Sequence, residues 1–153
     1  MQKVIISDTS CLILLQNIGE IDLLNKLFGT VVTTKEVADE FGLPLPPWIQ
    51  IHQPLNKRYQ SIIEASVHKG EASTIALAIE NDNSLLIVDD LKARKFAQNL
   101  GINITGTIGI IVDAKLEGVI PSVRVILNKI KQTNFRITPK LELMILEKSN
   151  ELK

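Results

Sequence analysis

Residues 4–10 read Val4-Ile5-Ile6-Ser7-Asp8-Thr9-Ser10, and residues 84–90 read Ser84-Leu85-Leu86-Ile87-Val88-Asp89-Asp90. Each is a short apolar run that stops at an acid. A strand with one wet face alternates apolar and polar residues, so a continuous run of this length reads as a strand buried on both faces. Such strands belong to parallel sheets covered by helices on both sides.

The rest of the sequence supplies those helices. Asp8-Thr9-Ser10 can cap one, and Cys11–Ile18 is so apolar that the helix it predicts is buried on most sides and broken at Gly19. A short helix is expected over Ile21–Leu27 and a strand at Thr30–Val32. Thr33 followed by Glu36 reads as a capping box opening the next helix, which Gly42 and the Leu43–Pro47 loop end. Ile49–His52 is a weaker strand, and a helix is expected over about residues 56–67, with another starting at Glu71 on an Ala72/Ile75/Ala76/Ile79 face. After the Leu85–Val88 strand come a helix faced by Ala93, Phe96, Ala97 and Leu100, a last strand over Ile102–Thr105, and a helix over Thr107–Leu116. Pro121 fits the first turn of a helix faced by Val123, Ile126, Leu127 and Ile130, and Thr138-Pro139 starts a final one. The pattern is that of one α/β domain over residues 1–153, without repeats or linkers.

Composition narrows the function. Lys+Arg and Asp+Glu are both 17, which excludes a globally basic nucleic-acid coat but leaves room for a local patch. One cysteine, Cys11, and two histidines, His52 and His68, exclude an internal disulfide and argue against a zinc cluster or a multi-histidine metal site. Aromatic residues are 4% of the chain, too few for a base-stacking platform. No apolar run is long enough to span a bilayer, and the Met1-Gln2-Lys3 opening with its brief Val4–Ile6 run is no secretory leader, so a cytoplasmic protein is expected.

In open parallel sheets ligands sit at the carboxyl ends of the strands. Asp8 and the Asp89/Asp90 pair follow strands, while Glu36, Glu40 and Glu71 lie on helices beginning near the same edge. Carboxylates gathered at one edge repel, and a divalent cation relieves that repulsion; Mg²⁺ and Mn²⁺ prefer carboxylate oxygen and water. Four carboxylates and two such ions would balance in charge. Each acid also has a purely structural reading. Asp8 can cap the first helix, Asp89 or Asp90 the helix holding Phe96, and Glu71 complements a helix dipole. Glu36 has the clearest capping role, whereas Glu40, beside Phe41, has none. Lys92 and Arg94 could hold an RNA backbone or simply form a solvated face, and Lys57-Arg58 and Lys129/Lys131 read mainly as solvated surface.

In order along the chain, Val4-Ile5-Ile6-Ser7-Asp8-Thr9-Ser10, Thr34–Phe41, Gly70–Ala78, Leu85–Asp90, Thr105–Gly109 and Ile120–Val123 resemble the motifs of the PIN-domain family. The last two are similar to a prokaryotic subfamily close to VapC-type toxins. The resemblance implies a three-layer α/β/α fold with a short central parallel sheet. It implies a Mg²⁺- or Mn²⁺-dependent endoribonuclease, often the toxin of a toxin–antitoxin pair, that dimerises and is neutralised by an antitoxin protein. Its catalytic and metal-binding acids map onto Asp8, Glu40, Glu71 and Asp89, with Asp90, Glu36 and Ser10 as alternates. Glu71 stands where many active relatives carry Asp, and Ser10 where many carry Asn. Those departures keep a second reading open: a catalytically weak PIN-like module that binds RNA or a protein partner. A receiver-like phosphoacceptor domain would need a lysine after the last strand, where Thr105-Gly106-Thr107 stands, and a haloacid-dehalogenase-type phosphatase would need Asp in place of Ser10.

Overall fold

The computed structural model describes residues 3–151; Met1 and Gln2, the first two residues of the Met1-Gln2-Lys3 opening on which the expectation of no secretory leader partly rested, lie outside the described residues, as do the last two residues of the 1–153 span. Among the described residues five strands form one sheet: β1 (Val4–Ser7), β2 (Val31–Thr33), β3 (Ile49–Ile51), β4 (Ser84–Ile87) and β5 (Ile104–Thr105). The order is β3-β2-β1-β4-β5 and every pairing is parallel. The two acid-terminated runs are therefore neighbours at the centre, with Ile5 opposite Leu85 and Ser7 opposite Ile87. The Asp8 N–H extends this ladder by donating to the Ile87 carbonyl at 3.0 Å.

The chain steps from β1 outward through β2 to β3, then returns to the other side of β1 for β4 and β5. The reversal opens a crevice beyond the carboxyl ends of β1 and β4, the position where open α/β sheets bind ligands. Asp8 and Asp89 follow those two strands.

The helices are α1 (Thr9–Asn17), α2 (Asp22–Phe28), α3 (Lys35–Phe41), α4 (Lys57–Ile63), α5 (Lys69–Ile79), α6 (Leu91–Asn99), α7 (Thr107–Leu116), α8 (Val123–Ile130) and α9 (Pro139–Lys148). Alternate strand residues face opposite layers, as a period of two requires. Ile5, Val31, Ile49 and Ile87 pack with α1, α2, α3, α7, α8 and α9; Ile6, Val32, Leu86 and Val88 pack with α4, α5 and α6. Ile6, Leu86 and Ile87 are fully buried, each contributing roughly 1.5–3 kcal/mol of apolar burial. This is the expected three-layer α/β/α arrangement. No helix among the described residues is long and apolar enough to cross a membrane.

Several boundaries differ from the sequence reading, each for a tertiary reason. The cap of α3 is Thr34, not Thr33, because Thr33 stays in β2: it pairs with Ile51, and its hydroxyl donates to the Ser7 carbonyl at 2.7 Å. Helix α1 begins at Thr9, before Cys11, and α5 begins at Lys69, making Glu71 its third residue. Helix α4 ends at Ile63, well short of residue 67, and β5 is only Ile104–Thr105. Pro121 lies outside α8; Ser122 caps that helix, and Glu151 takes its free amides, accepting from Val123 N, from Arg124 N at 3.2 Å and from Ser122 Oγ at 3.0 Å. Leu100, expected on the apolar face of α6, is exposed just beyond its end.

Candidate active site

Asp8 is the centre of the site. It stands at the cap position of α1 yet makes no side-chain cap bond there, and it is only 3% exposed. A capping role for Asp8 is therefore not realised. Burial pushes its carboxyl up to about 7, the Thr9 amide draws it back, and the charges of Glu71, Glu40 and Asp89 push it further up. Four acids from four segments thus share one electrostatic neighbourhood. Beside Asp8, the Thr9 hydroxyl is buried with no hydrogen-bond partner among the described residues. Cys11, one turn along α1, is fully buried; burial pushes its thiol up to about 12, the Thr107 hydroxyl pulls it down, and Asp89 and Asp8 raise it again. It is packing, not a nucleophile.

Asp89 and Asp90 divide two roles between them. Asp90 caps α6, accepting from Ala93 N at 2.9 Å. Asp89 reaches across to the start of α7, where its two oxygens accept from Thr107 N at 2.8 Å and Thr107 Oγ1 at 2.5 Å. Thr107 positions Asp89, a role the sequence did not assign although Thr107 falls within the Thr105–Gly109 motif. Gly106, in the same motif, was given no role either. A Cβ there would lie 2.8 Å from both Asp89 Oδ1 and Arg94 Nη1, so only glycine leaves room for the two side chains. Arg94 is held in turn by donating from Nη1 to the Val88 carbonyl at 3.0 Å.

Glu71 lies on α5, whose residues Gly70–Ala78 are all buried. Its Oε1 accepts from the His68 N–H at 3.2 Å, so it completes a cap as well as facing the other acids. Burial and then the charge of Asp90 raise its carboxyl, His68 lowers it, and Glu40 raises it again. Glu71, Asp90, His68 and Lys92 line one hollow of about 320 Å³. Glu40, exposed on α3, lines a neighbouring hollow of about 530 Å³ with Glu36, Asp39, His68 and Lys69. Its carboxylate lies over Gly70: a Cβ on that glycine would be 1.9 Å from Glu40 Oε1. Helices α3 and α5 are also joined at their starts, Thr34 Oγ1 and Ser73 Oγ lying 2.7 Å apart. Ser73 Oγ donates to the Gly70 carbonyl at 2.6 Å, which makes Thr34 the donor in that pair.

Glu36 belongs to a different network. The capping box expected for it is absent, because the cap moved to Thr34. Its oxygens instead accept from Gln53 Nε2 at 3.2 Å and from Gln60 Nε2. Burial alone would raise its carboxyl, but the bonds from Gln60 and Gln53 outweigh that and leave it below the usual range. Gln60 is buried and its Oε1 has no hydrogen-bond partner among the described residues. Glu36→Ala is therefore expected to cost about 1–3 kcal/mol by stranding the Gln60 amide, with Mn²⁺ affinity unchanged. Glu40→Gln is expected to do the reverse. Thermal melts and Mn²⁺ titrations of the two variants check this, and a metal defect confined to the Glu36 variant would reassign the second acid.

Ser10 is exposed on α1 and Lys92 on α6. Lys129 and Lys131 are engaged in surface ion pairs with Glu20, at 2.6 Å, and Glu142. His52 is exposed and pairs with Gln50 at 3.2 Å, and Trp48 packs on the core, so neither joins the site.

Residues 4–151 match the family DUF3368, described as a PIN domain. The chain belongs to the PIN-domain family. No curated protein and no solved structure matches it. PIN domains are in general metal-dependent nucleases. Among the described residues no three His, Cys, Asp or Glu side chains come close enough to hold one ion between them. The donor set still fits such an ion. Its oxygens are all hard carboxylates, Asp8 is buried against like charges, and Mg²⁺ is commonly held through one or two carboxylates with water completing its shell.

Proposed function

We propose that this PIN domain is a divalent-metal-dependent endoribonuclease that hydrolyses RNA phosphodiesters at Asp8, Glu40, Glu71 and Asp89, using Mg²⁺ or Mn²⁺. The observation that carries the reading is the Asp8 carboxylate buried at the β1/β4 crevice, raised by that burial first and further by the charges of Glu71, Glu40 and Asp89. When bound, the cation supplies a more acidic water and offsets charge on the phosphoryl oxygens. Asp8 and Glu71 would be the fixed ligands, set just past the end of β1 and on the buried α5. Asp89 is oriented by Thr107, and Glu40 closes the cluster from α3. Arg94 and Lys92 flank the acids and hold the RNA backbone.

The likeness to VapC-type toxins supports a narrower reading: a cytoplasmic toxin that forms a homodimer and is neutralised by an antitoxin. A basic side chain of that partner would occupy the carboxylates much as a cation does. A second reading, a catalytically weak module that binds RNA or a protein partner, is favoured by one observation: both Asp89 oxygens are already engaged by Thr107.

One experiment separates the two. The nuclease reading expects RNA cleavage in Mg²⁺ or Mn²⁺ that stops in excess EDTA and returns when metal is restored, with saturable Mn²⁺ binding. Cleavage undiminished in EDTA overturns the metal requirement. Absence of both cleavage and Mn²⁺ binding leaves the binding-module reading standing.

A further inference from the structure

A third hollow, of about 620 Å³, has Asp89 in its lining and lies between α6, β5, α7 and α9. Its volume falls in the range of small-molecule sites, about 300–1,000 Å³. Its floor is apolar, formed by Ile104, Ile108, Val112 and Met144. Arg94 lines it as well. The guanidinium is tethered to the Val88 carbonyl through Nη1, and it flanks Gly106 opposite Asp89. Lys148 and Asp113 complete the charged lining. Thus Arg94 adjoins Asp89 across Gly106, and apolar side chains line the same hollow. That pairing of cationic and apolar surface matches a phosphate joined to a base. Met144 adds a thioether, which contacts aromatic rings favourably.

We propose that this hollow is a nucleotide subsite. It takes the nucleoside next to the scissile phosphate, with Arg94 and Lys148 on the phosphate and the base on the Ile104/Ile108/Met144 floor. The proposal rests on the nuclease reading for its place along the RNA, but its test does not require cleavage. The floor is aliphatic, so the subsite holds bases by shape and dispersion and discriminates weakly among them.

The experiment titrates metal-free protein in EDTA with 5′-AMP, and separately with ribose 5-phosphate, following backbone amide resonances. The expected result is that 5′-AMP shifts the amides of residues 104–109 in a saturable manner and that ribose 5-phosphate binds about tenfold more weakly or worse. Met144 is 43% exposed, so Met144→Glu leaves the fold intact and is expected to weaken 5′-AMP by a further factor of about ten, through a lost apolar contact and a like charge near the phosphate. Leu55→Glu, at a 95% exposed position outside the hollow, is expected to leave binding unchanged. Equal binding of the two ligands, shifts centred elsewhere, or an unaffected Met144→Glu variant would overturn the subsite. So would shifts of the same amides on raising protein concentration alone, which would assign the hollow to a second copy of the chain. A protein that binds 5′-AMP as described but never cleaves RNA keeps the subsite and loses the nuclease reading; the opposite outcome does the reverse.

Discussion

Asp8→Asn is expected to abolish metal-dependent cleavage while raising the melting temperature of the metal-free protein at pH 8. Asp8 is 3% exposed, and its carboxyl is pushed from an ordinary 3.8 to about 7, by burial first and then by Glu71, Glu40 and Asp89 against the pull of the Thr9 amide. A carboxyl that binds its proton more tightly when folded contributes full stability below about pH 4. That contribution falls away as the pH climbs through about 7, because the folded state must then carry the buried charge. A shift of this size corresponds to a loss on the order of 4 kcal/mol once ionisation is complete. The wild type in EDTA is therefore expected to melt at a markedly lower temperature at pH 8 than at pH 5. The Asn variant, with no charge to bury, escapes this part of the loss. Mn²⁺ is expected to raise the wild-type melting temperature at pH 8 and to do far less for the variant. A variant no more stable than wild type at pH 8 would show that the folded protein bears no net cost for an ionised, buried Asp8.

Gly70→Ala is expected to produce the opposite pairing of stability and activity from a typical core mutation. Gly70 is in α5 with ordinary helical backbone, so alanine there is worth up to about 1 kcal/mol of helix propensity. The added methyl would lie 1.9 Å from Glu40 Oε1 and 3.0 Å from its carboxyl carbon. Because Glu40 is exposed and its side chain flexible, it yields rather than the helix, and the second acid leaves its place. A displacement of about 1 Å in a catalytic group costs on the order of a hundredfold in rate. Cleavage rate and thermal melts of the same preparation check this. A variant that retains full rate would show that Glu40 acts from another rotamer.

The sheet was legible in the sequence because the central strands are apolar throughout and end at acids, which specifies parallel strands and locates their functional edge at once. That edge also accounts for the charges of Glu71, Glu40 and Asp89 acting on Asp8. Finer choices were not local. Thr33 and Thr34 are equally good caps by residue type, and what decides between them is the pairing of Thr33 with Ile51 and its bond to Ser7, partners on other strands. Asp89 and Asp90 are likewise equivalent until Thr107, eighteen residues on, takes one of them. Gly70 and Gly106 look like helix punctuation, but what each excludes is a side chain brought in from a different element.

Helix α5 is buried for nine consecutive residues, whereas α3 is seven residues long and anchored through Val37, Phe41 and the Thr34–Ser73 bond. Opening α5 would expose so much of the interior that it amounts to global unfolding, while α3 can loosen with a small fraction of that free energy. The two glutamates therefore belong to different cooperative units. Glu71 keeps its place for as long as the protein is folded at all. Glu40 can swing outward and return within the folded state, so that one wall of the acid cluster is a fixed jaw and the other a hinged one.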